Sequence, residues 1–245
     1  MGETYCVEEW EELMEEKELQ KKSYTKVVDY IKHQFMMGKL KIGDKLPAER
    51  ELSETLGVSR NSVREAVRTL DNMGVISSQH GAGNYVQGNF ENNLVESMSM
   101  MFLLNQINYE QISQLRLGLE MQALMLAIDH ITEPELKQME QIISRLENVT
   151  EENNVILDKK LHYSIAMASK NVLIVNILQA LSTVMDQFIV DLRREILSSE
   201  DSRDGLYEAH RGMVKSLLTK DKELGRKSIY KHFELIDEKL KKFDK

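Results

Sequence analysis

Only two of the chain's 245 residues are proline, Pro47 and Pro134. Proline removes a backbone donor and clashes with the preceding helical turn, so long proline-free stretches leave helices unbroken. Strand-rich folds need many turns, and the scarcity of proline favours long helices instead. A mainly α fold is therefore expected, with 42% apolar residues available to build its core. At this length one or two domains are expected.

The first strong helix is predicted over 24–37. Tyr24, Val27, Val28, Ile31 and Phe35 repeat along one stripe. Ser23 can cap its start, and Gly38 can take the left-handed position after it. Lys39 to Pro47 reads as a loop with a Gly43-Asp44 turn. A second helix then starts at Pro47, carries Leu52 and Leu56 one turn apart, and ends at Gly57. Ser59 caps a third, running to about Met73 with Val63, Ala66, Val67 and Leu70 on its inner stripe. Two short strands follow, 75–79 and 84–86, around the tight turn His80-Gly81-Ala82-Gly83. Three short helices and a β-hairpin describe a winged helix-turn-helix.

The run GDKLPAERELSETLGVSRNSVREAVRTLDNMGVISSQHGAGNYV resembles the DNA-binding domain of the GntR family of regulators, without a gap over residues 24–86. In a helix-turn-helix the second of the paired helices enters the major groove. Here that helix begins at Ser59, and Arg60 and Arg64, four apart, share a face. Each arginine can donate two parallel hydrogen bonds to guanine O6 and N7. Ser59, Asn61 and Ser62 are short donors suited to phosphates or base edges. The resemblance adds Arg50, which in the family reaches a base or the backbone, and the wing tip His80-Gly81, which enters the minor groove. The plainer reading of each arginine alone is a surface charge paired with Glu49, Glu51 or Glu65.

The net charge of −8 sits uneasily with a DNA binder until it is mapped. Residues 23–88 hold nine Lys and Arg against seven Asp and Glu, whereas residues 1–22 hold three against eight. Local charge sets phosphate affinity. Residues 1–22 are expected as an acidic extension, with a short helix from Val7 through Trp10, Leu13 and Met14. It lacks an apolar h-region, so no secretory signal is expected. No stretch approaches the ~18 uncharged apolar residues that span a bilayer. A single cysteine, Cys6, rules out an internal disulfide framework, fits a reducing cytoplasm, and has no nearby histidine to activate it.

Residues 89–97 are polar and read as a linker running into a helix at about 93–105. From 98 to 245 nearly every segment is helical, which resembles the FCD effector domain of the FadR-type branch of GntR regulators. The expected architecture is thus an extension (1–22), a winged helix-turn-helix (23–88), a linker (89–97) and an all-helical effector and dimerisation domain (98–245).

Four residues of that second domain form a pattern. Asp158 and His162 are four apart and stack on one helix face. His210 is flanked at helical spacing by Leu206, Met213 and Leu217, and His232 by Ile229, Phe233 and Ile236, so both face inward. A lone inward histidine is usually a core residue with a hydrogen bond. Three histidines and a carboxylate from three helices suit a borderline divalent cation, zinc first, with nickel or manganese open. The pattern also resembles the metal-binding FCD subgroup, in which an asparagine follows the Asp-His helix, here Asn171. Gly225 departs from it where alanine is usual, costing about 1 kcal/mol of helix propensity. His33 and His130 read as a surface residue and a helix-end residue.

Arg116, beside the inward residues Ile112, Leu115, Leu119 and Ala123, has two readings. It can pair with Glu120, four residues on, or it can grip an effector carboxylate with its planar fork. FCD regulators place an arginine of this motif toward the ligand cavity. The sequence therefore reads as a homodimeric regulator, a repressor, binding a palindromic double-stranded operator and answering to a small organic or sugar acid. Two rivals stand beside it. In one the metal itself is the signal. In the other the chain is a metal-dependent hydrolase with an accessory nucleic-acid domain, against which no separate general base is evident.

Overall fold

The computed structural model describes residues 23–79, 81–146, 151–186 and 200–243. Helix α1 covers 23–36. It is followed by α2 (Glu49–Leu56), α3 (Arg60–Asn72), β1 (Ile76–Gln79), β2 (Gly83–Val86) and α4 (Glu91–Leu104). Then come α5 (Tyr109–His130), α6 (Glu133–Leu146), α7 (Glu151–Ala168), α8 (Val172–Val184), α9 (Glu200–Thr219) and α10 (Lys222–Phe243). The chain divides into two compact units between Asn93 and Leu94. No helix among the described residues is long and apolar enough to cross a membrane. The acidic extension 1–22 and wing residue His80 lie outside the described residues.

The first unit is the winged helix-turn-helix. Val27, Ile31, Leu52, Val63, Ala66 and Leu70 close its core. Gly57 ends α2 at φ 62°, the left-handed cap that only glycine adopts freely. Pro47 stands outside α2, which instead starts after Ala48. The strands pair antiparallel, Ile76 opposite Val86 and Gln79 opposite Gly83. The expected loop before α2 contributes a third edge. Lys45 bridges to Tyr85, and the amides of Gly43 and Leu46 donate to Val86 and Asn84. Pairing with β2 overrides the loop composition of this segment, because an unpaired edge of β2 would leave backbone groups unsatisfied. At Gly74 (φ 73°) a Cβ would sit 1.9 Å from the Asn89 carbonyl oxygen, so the exit from α3 passes directly against the start of the next segment.

The linker expected to run into a helix at about 93 does so at Glu91, where α4 begins. Its polar residues form a helix start with an acid in the first turn.

The second unit is a helical assembly around Leu124, Ile128, Met139, Leu161, Met213 and Phe233. Its breaks are built from capping chemistry. Asn108 and Gln111 form a reciprocal capping box on α5. Asn171 accepts from the amides of Leu173 and Ile174 to cap α8, and Asp221 does the same for α10. Helices α9 and α10 approach closely. A Cβ on Gly212 would lie 2.1 Å from Ser228 Oγ, and one on Gly225 would lie 3.0 Å from Ser216 Oγ and 3.1 Å from Met125 Cε. The glycine that costs helix propensity at 225 thus lets α10 seat against α9 and α5.

Glu135 ties α6 to the end of α7. Its Oε2 accepts from Thr132 N and Oγ1 at 2.9 and 2.7 Å, and its Oε1 meets Lys170 Nζ at 2.5 Å. The Lys170 hydrogen bond, followed by that from the Thr132 amide, lowers the carboxyl to about 2 against a usual 4.5. The Glu135 side chain is 31% exposed and Lys170 49%, so screening keeps the contribution near 0.5–1 kcal/mol. A depressed carboxyl stabilises the fold above its unfolded value and loses that contribution as pH falls. Glu135→Gln should therefore lower stability by about 0.5–1 kcal/mol at pH 7, with the difference from wild type closing between pH 4.5 and about 2. Urea unfolding across that range measures it; a pH-independent difference contradicts the assignment.

Candidate metal centre and nucleic-acid interface

In the first unit Ser59 caps α3 by accepting from the Ser62 amide at 3.0 Å. This cap starts the helix with its first residues, Arg60 and Asn61, in solvent. Arg64 is exposed one turn on, and Arg68 one turn beyond that. Arg64 Nε lies 3.6 Å from Glu49 Oε2, and Arg50 Nε lies 2.8 Å from Glu54 Oε1. These are the plainer pairings expected of surface arginines. The Arg50 and Arg64 side chains remain 73% and 55% exposed, and ion pairs in that setting are worth about 0–1 kcal/mol. A phosphate or a guanine edge can displace them. Gly81 is exposed at φ 74° in the hairpin turn.

One expected donor is corrected. Ser62 is 1% exposed, with its hydroxyl 2.9 Å from Ser59 Oγ. Three residues into the helix it points back at its own cap and toward the core, and does not face solvent. One residue was missed. Lys45 is exposed, carried on the third wing edge, with its ammonium 5.7 Å from the Tyr85 ring centroid. Its only signal in the sequence was a charge inside a loop.

The second unit brings all four predicted ligands together. Asp158 and His162 come from α7, His210 from α9 and His232 from α10. One donor atom of each lies within 4.8 Å of the others. His210 Nε2 is 3.1 Å from Asp158 Oδ1 and 3.3 Å from His162 Nε2. The three imidazole centroids are 4.7, 4.8 and 5.4 Å apart. Asp158, His210 and His232 are buried.

These residues fit a divalent ion. Donors bound at about 2.1 Å stand roughly 3.0–3.4 Å from their neighbours; His210 Nε2 keeps that spacing to Asp158 and His162, and the other donors would draw in from at most 4.8 Å. Burial, and then the neighbouring charges of His162 and His210, push His232 well below the usual histidine value, so it offers a neutral lone pair. Its Nδ1 is buried with no hydrogen-bond partner among the described residues. Asn171, by contrast, is engaged in capping α8 and takes no part in this cluster.

Glu120, on α5, was legible only as a partner for Arg116, and it does more. Its Oε1 accepts from Arg116 Nη2 at 2.7 Å and Nε at 3.0 Å. Its Oε2 is 2.6 Å from His162 Nδ1. Burial pushes this carboxyl up, but the charges of His162 and then Arg116 outweigh burial and hold it well below the usual range. For His162, burial pushes down and the Glu120 charge and hydrogen bond win, raising it. A carboxylate so firmly ionised and so engaged makes a poor general base.

The cluster opens into a cavity of about 430 Å³. Arg116, Glu120, Asp158, Lys159, Lys160 and His162 form its charged part beside His232, and Gln179, Ser182 and Thr183 of α8 form a polar wall. Arg116 pairs with Glu120 and also lines the cavity.

Comparison with known proteins agrees with this division. The family described as "Bacterial regulatory proteins, gntR family" matches residues 23–86, and the FCD domain matches residues 111–235. The HTH-type transcriptional regulator YcbG of Bacillus subtilis is 28% identical over 216 residues, 88% of this chain and 89% of YcbG. The mannosyl-D-glycerate transport/metabolism system repressor MngR of Escherichia coli is 42% identical over 64 residues, 26% of this chain and 27% of MngR. Among solved structures, Streptococcus agalactiae GntR has the same fold, with a TM-score of 0.61 at 21% identity, covering 87% of this chain and 98% of that one.

Removing one of four converging donors leaves a buried, incomplete polar site. Protein purified without chelator should carry close to one divalent ion per chain, and His232→Ala should lose it. The variant's melting temperature should fall by more than an exposed substitution of about 0.5 kcal/mol would cause. Elemental analysis and thermal unfolding check this; a metal-free wild type whose variant is equally stable would remove the ion from the site.

Proposed function

The chain belongs to the GntR family, as a transcriptional regulator with an FCD domain, and from that premise we propose that it is a metabolite-responsive repressor. It binds a palindromic operator as a homodimer in the cytoplasm, and a small carboxylic acid bound beside a divalent ion controls that binding. The observation that carries this reading is the shared cavity: three members of the Asp158, His162, His210 and His232 cluster and Arg116 line the same 430 Å³ space. The named repressor among the relatives, matched over the DNA-binding segment, supports the direction of control.

Asp158, His162, His210 and His232 would hold the ion, zinc by the chemistry of three imidazoles and one carboxylate. When bound, it supplies a Lewis acid for an acidic ligand. Arg116 uses its Nε and Nη2 side for Glu120, which leaves the Nη1 side for a ligand carboxylate. The hydroxyls and amide of Ser182, Thr183 and Gln179 can meet hydroxyl groups on the remainder of a small acid. Ligand binding shifts operator affinity only through different affinity for the two states.

On the DNA side, Arg60, Asn61, Arg64 and Arg50 form the reading face with Ser59 at the helix start, and Gly81 and His80 serve the wing. Arg64→Ala should cost about 1–3 kcal/mol on the preferred operator and relax choice at one base pair. Gel-shift titration against operator variants measures it. Equal weakening on every sequence reduces Arg64 to a phosphate contact, and unchanged affinity removes it from the interface.

On the ligand side, Arg116→Lys keeps a cation beside Glu120 but loses the fork. Operator binding without ligand should be unchanged. In a screen of small carboxylic acids, the acid that stabilises wild type and releases its operator should act on the variant only at ten-fold or higher concentration. An undiminished response would confine Arg116 to its ion pair.

A further inference from the structure

We propose that Glu120 is the positioning residue of the metal centre: it holds His162 as the imidazole protonated on Nδ1, with Nε2 turned to Asp158 and His210. The inference rests on the metal reading above. An imidazole has two nitrogens, and a neutral ring carries its lone pair on one of them. Which one faces a metal is decided by the partner of the other. Glu120 Oε2 lies 2.6 Å from His162 Nδ1. A carboxylate only accepts, so this contact calls for hydrogen on Nδ1, and in the neutral ring, the form that binds a metal, the lone pair then falls on Nε2. That nitrogen is the one 3.3 Å from His210 Nε2 and 3.8 Å from Asp158 Oδ1.

The carboxylate must be ionised for this to work, and its place in the fold ensures it. Glu120 is 5% exposed, and an unneutralised charge there would be costly. Arg116, one turn earlier on α5, donates twice to Oε1 and leaves Oε2 for the histidine. An ordinary helix-surface ion pair has both oxygens free to turn toward solvent. Here Oε1 is held by Arg116, while Oε2, which makes no well-aligned hydrogen bond among the described residues, lies buried 2.6 Å from His162 Nδ1. The two helices involved, α5 and α7, also pack through Leu124, Ile128, Leu161 and Ile165, which fixes the reach between Glu120 and the ring.

The test uses the full chain with zinc as the only probe. In ¹⁵N-histidine-labelled, zinc-loaded wild type, His162 should bind zinc through Nε2 and carry hydrogen on Nδ1. Glu120→Gln keeps the volume but has one acceptor for two donors. Its zinc affinity, measured by competition with a chromophoric chelator, should fall about 10–100-fold, as for other partners of metal-bound histidines. Zinc bound through Nδ1 of His162 in wild type overturns the proposal, whether or not the variant folds. So does a variant whose metal-free melting temperature falls while its zinc affinity stays within threefold of wild type, since Glu120 would then support only the fold. A wild type that takes up no zinc overturns the metal reading, and this inference with it.

Discussion

A carboxylate taken out of water has to be compensated where it stands, and in the helical unit that carboxylate is Glu120. Arg116 and His162 do so from opposite sides. The charge of Glu120 thereby orders three helical positions, two on α5 and one on α7, and through His162 it reaches α9 and α10. Without that compensation, a polar cluster packed beside Leu161, Met213 and Phe233 would be a defect in the core. With it, the cluster becomes a preformed set of donors whose orientation is already decided.

Bringing the last two ligands into place is a matter of backbone distance. His210 and His232 lie on neighbouring helices, and Gly212 and Gly225 remove the side chains that would hold those helices apart. The same two helices support the cavity, since Leu206 of α9 and Ile236 of α10 line it. Packing of small residues, burial of titratable groups and the shape of the ligand space are in this way one arrangement.

The DNA-reading unit follows a different economy. The arginines proposed to read DNA are exposed and weakly paired, as they must be if phosphate and base edges are to replace those pairings. What is built firmly is the frame: the Ser59 cap, the left-handed Gly57, and the contact of Gly74 with Asn89. The third wing edge through Lys45 adds backbone pairing to a hairpin that would be marginal with two strands alone.

Much of this was legible from local signals. The stripes of Val27 and Ile31 on α1 and of Val63, Ala66 and Leu70 on α3, the cap residue Ser59, and the Asp158–His162 spacing are short-range patterns, and short-range patterns survive in a linear sequence. Two kinds of feature did not. Ser62 is a polar residue whose fate depended on which way the first turn of α3 faced. Glu120 and Lys45 were named or passed over as ordinary charges because their partners, His162 and Tyr85, lie 42 and 40 positions away. The sequence by itself determined the helix stripes, the turn glycines and the inventory of donors, since each rests on residues within a few positions. Only the tertiary structure decided that Glu120 meets His162 at Nδ1, which side of Arg116 pairs with Glu120, and that four donors on three helices meet within 4.8 Å. Those depend on distances between distant parts of the chain, and such distances are set only when the core closes around them.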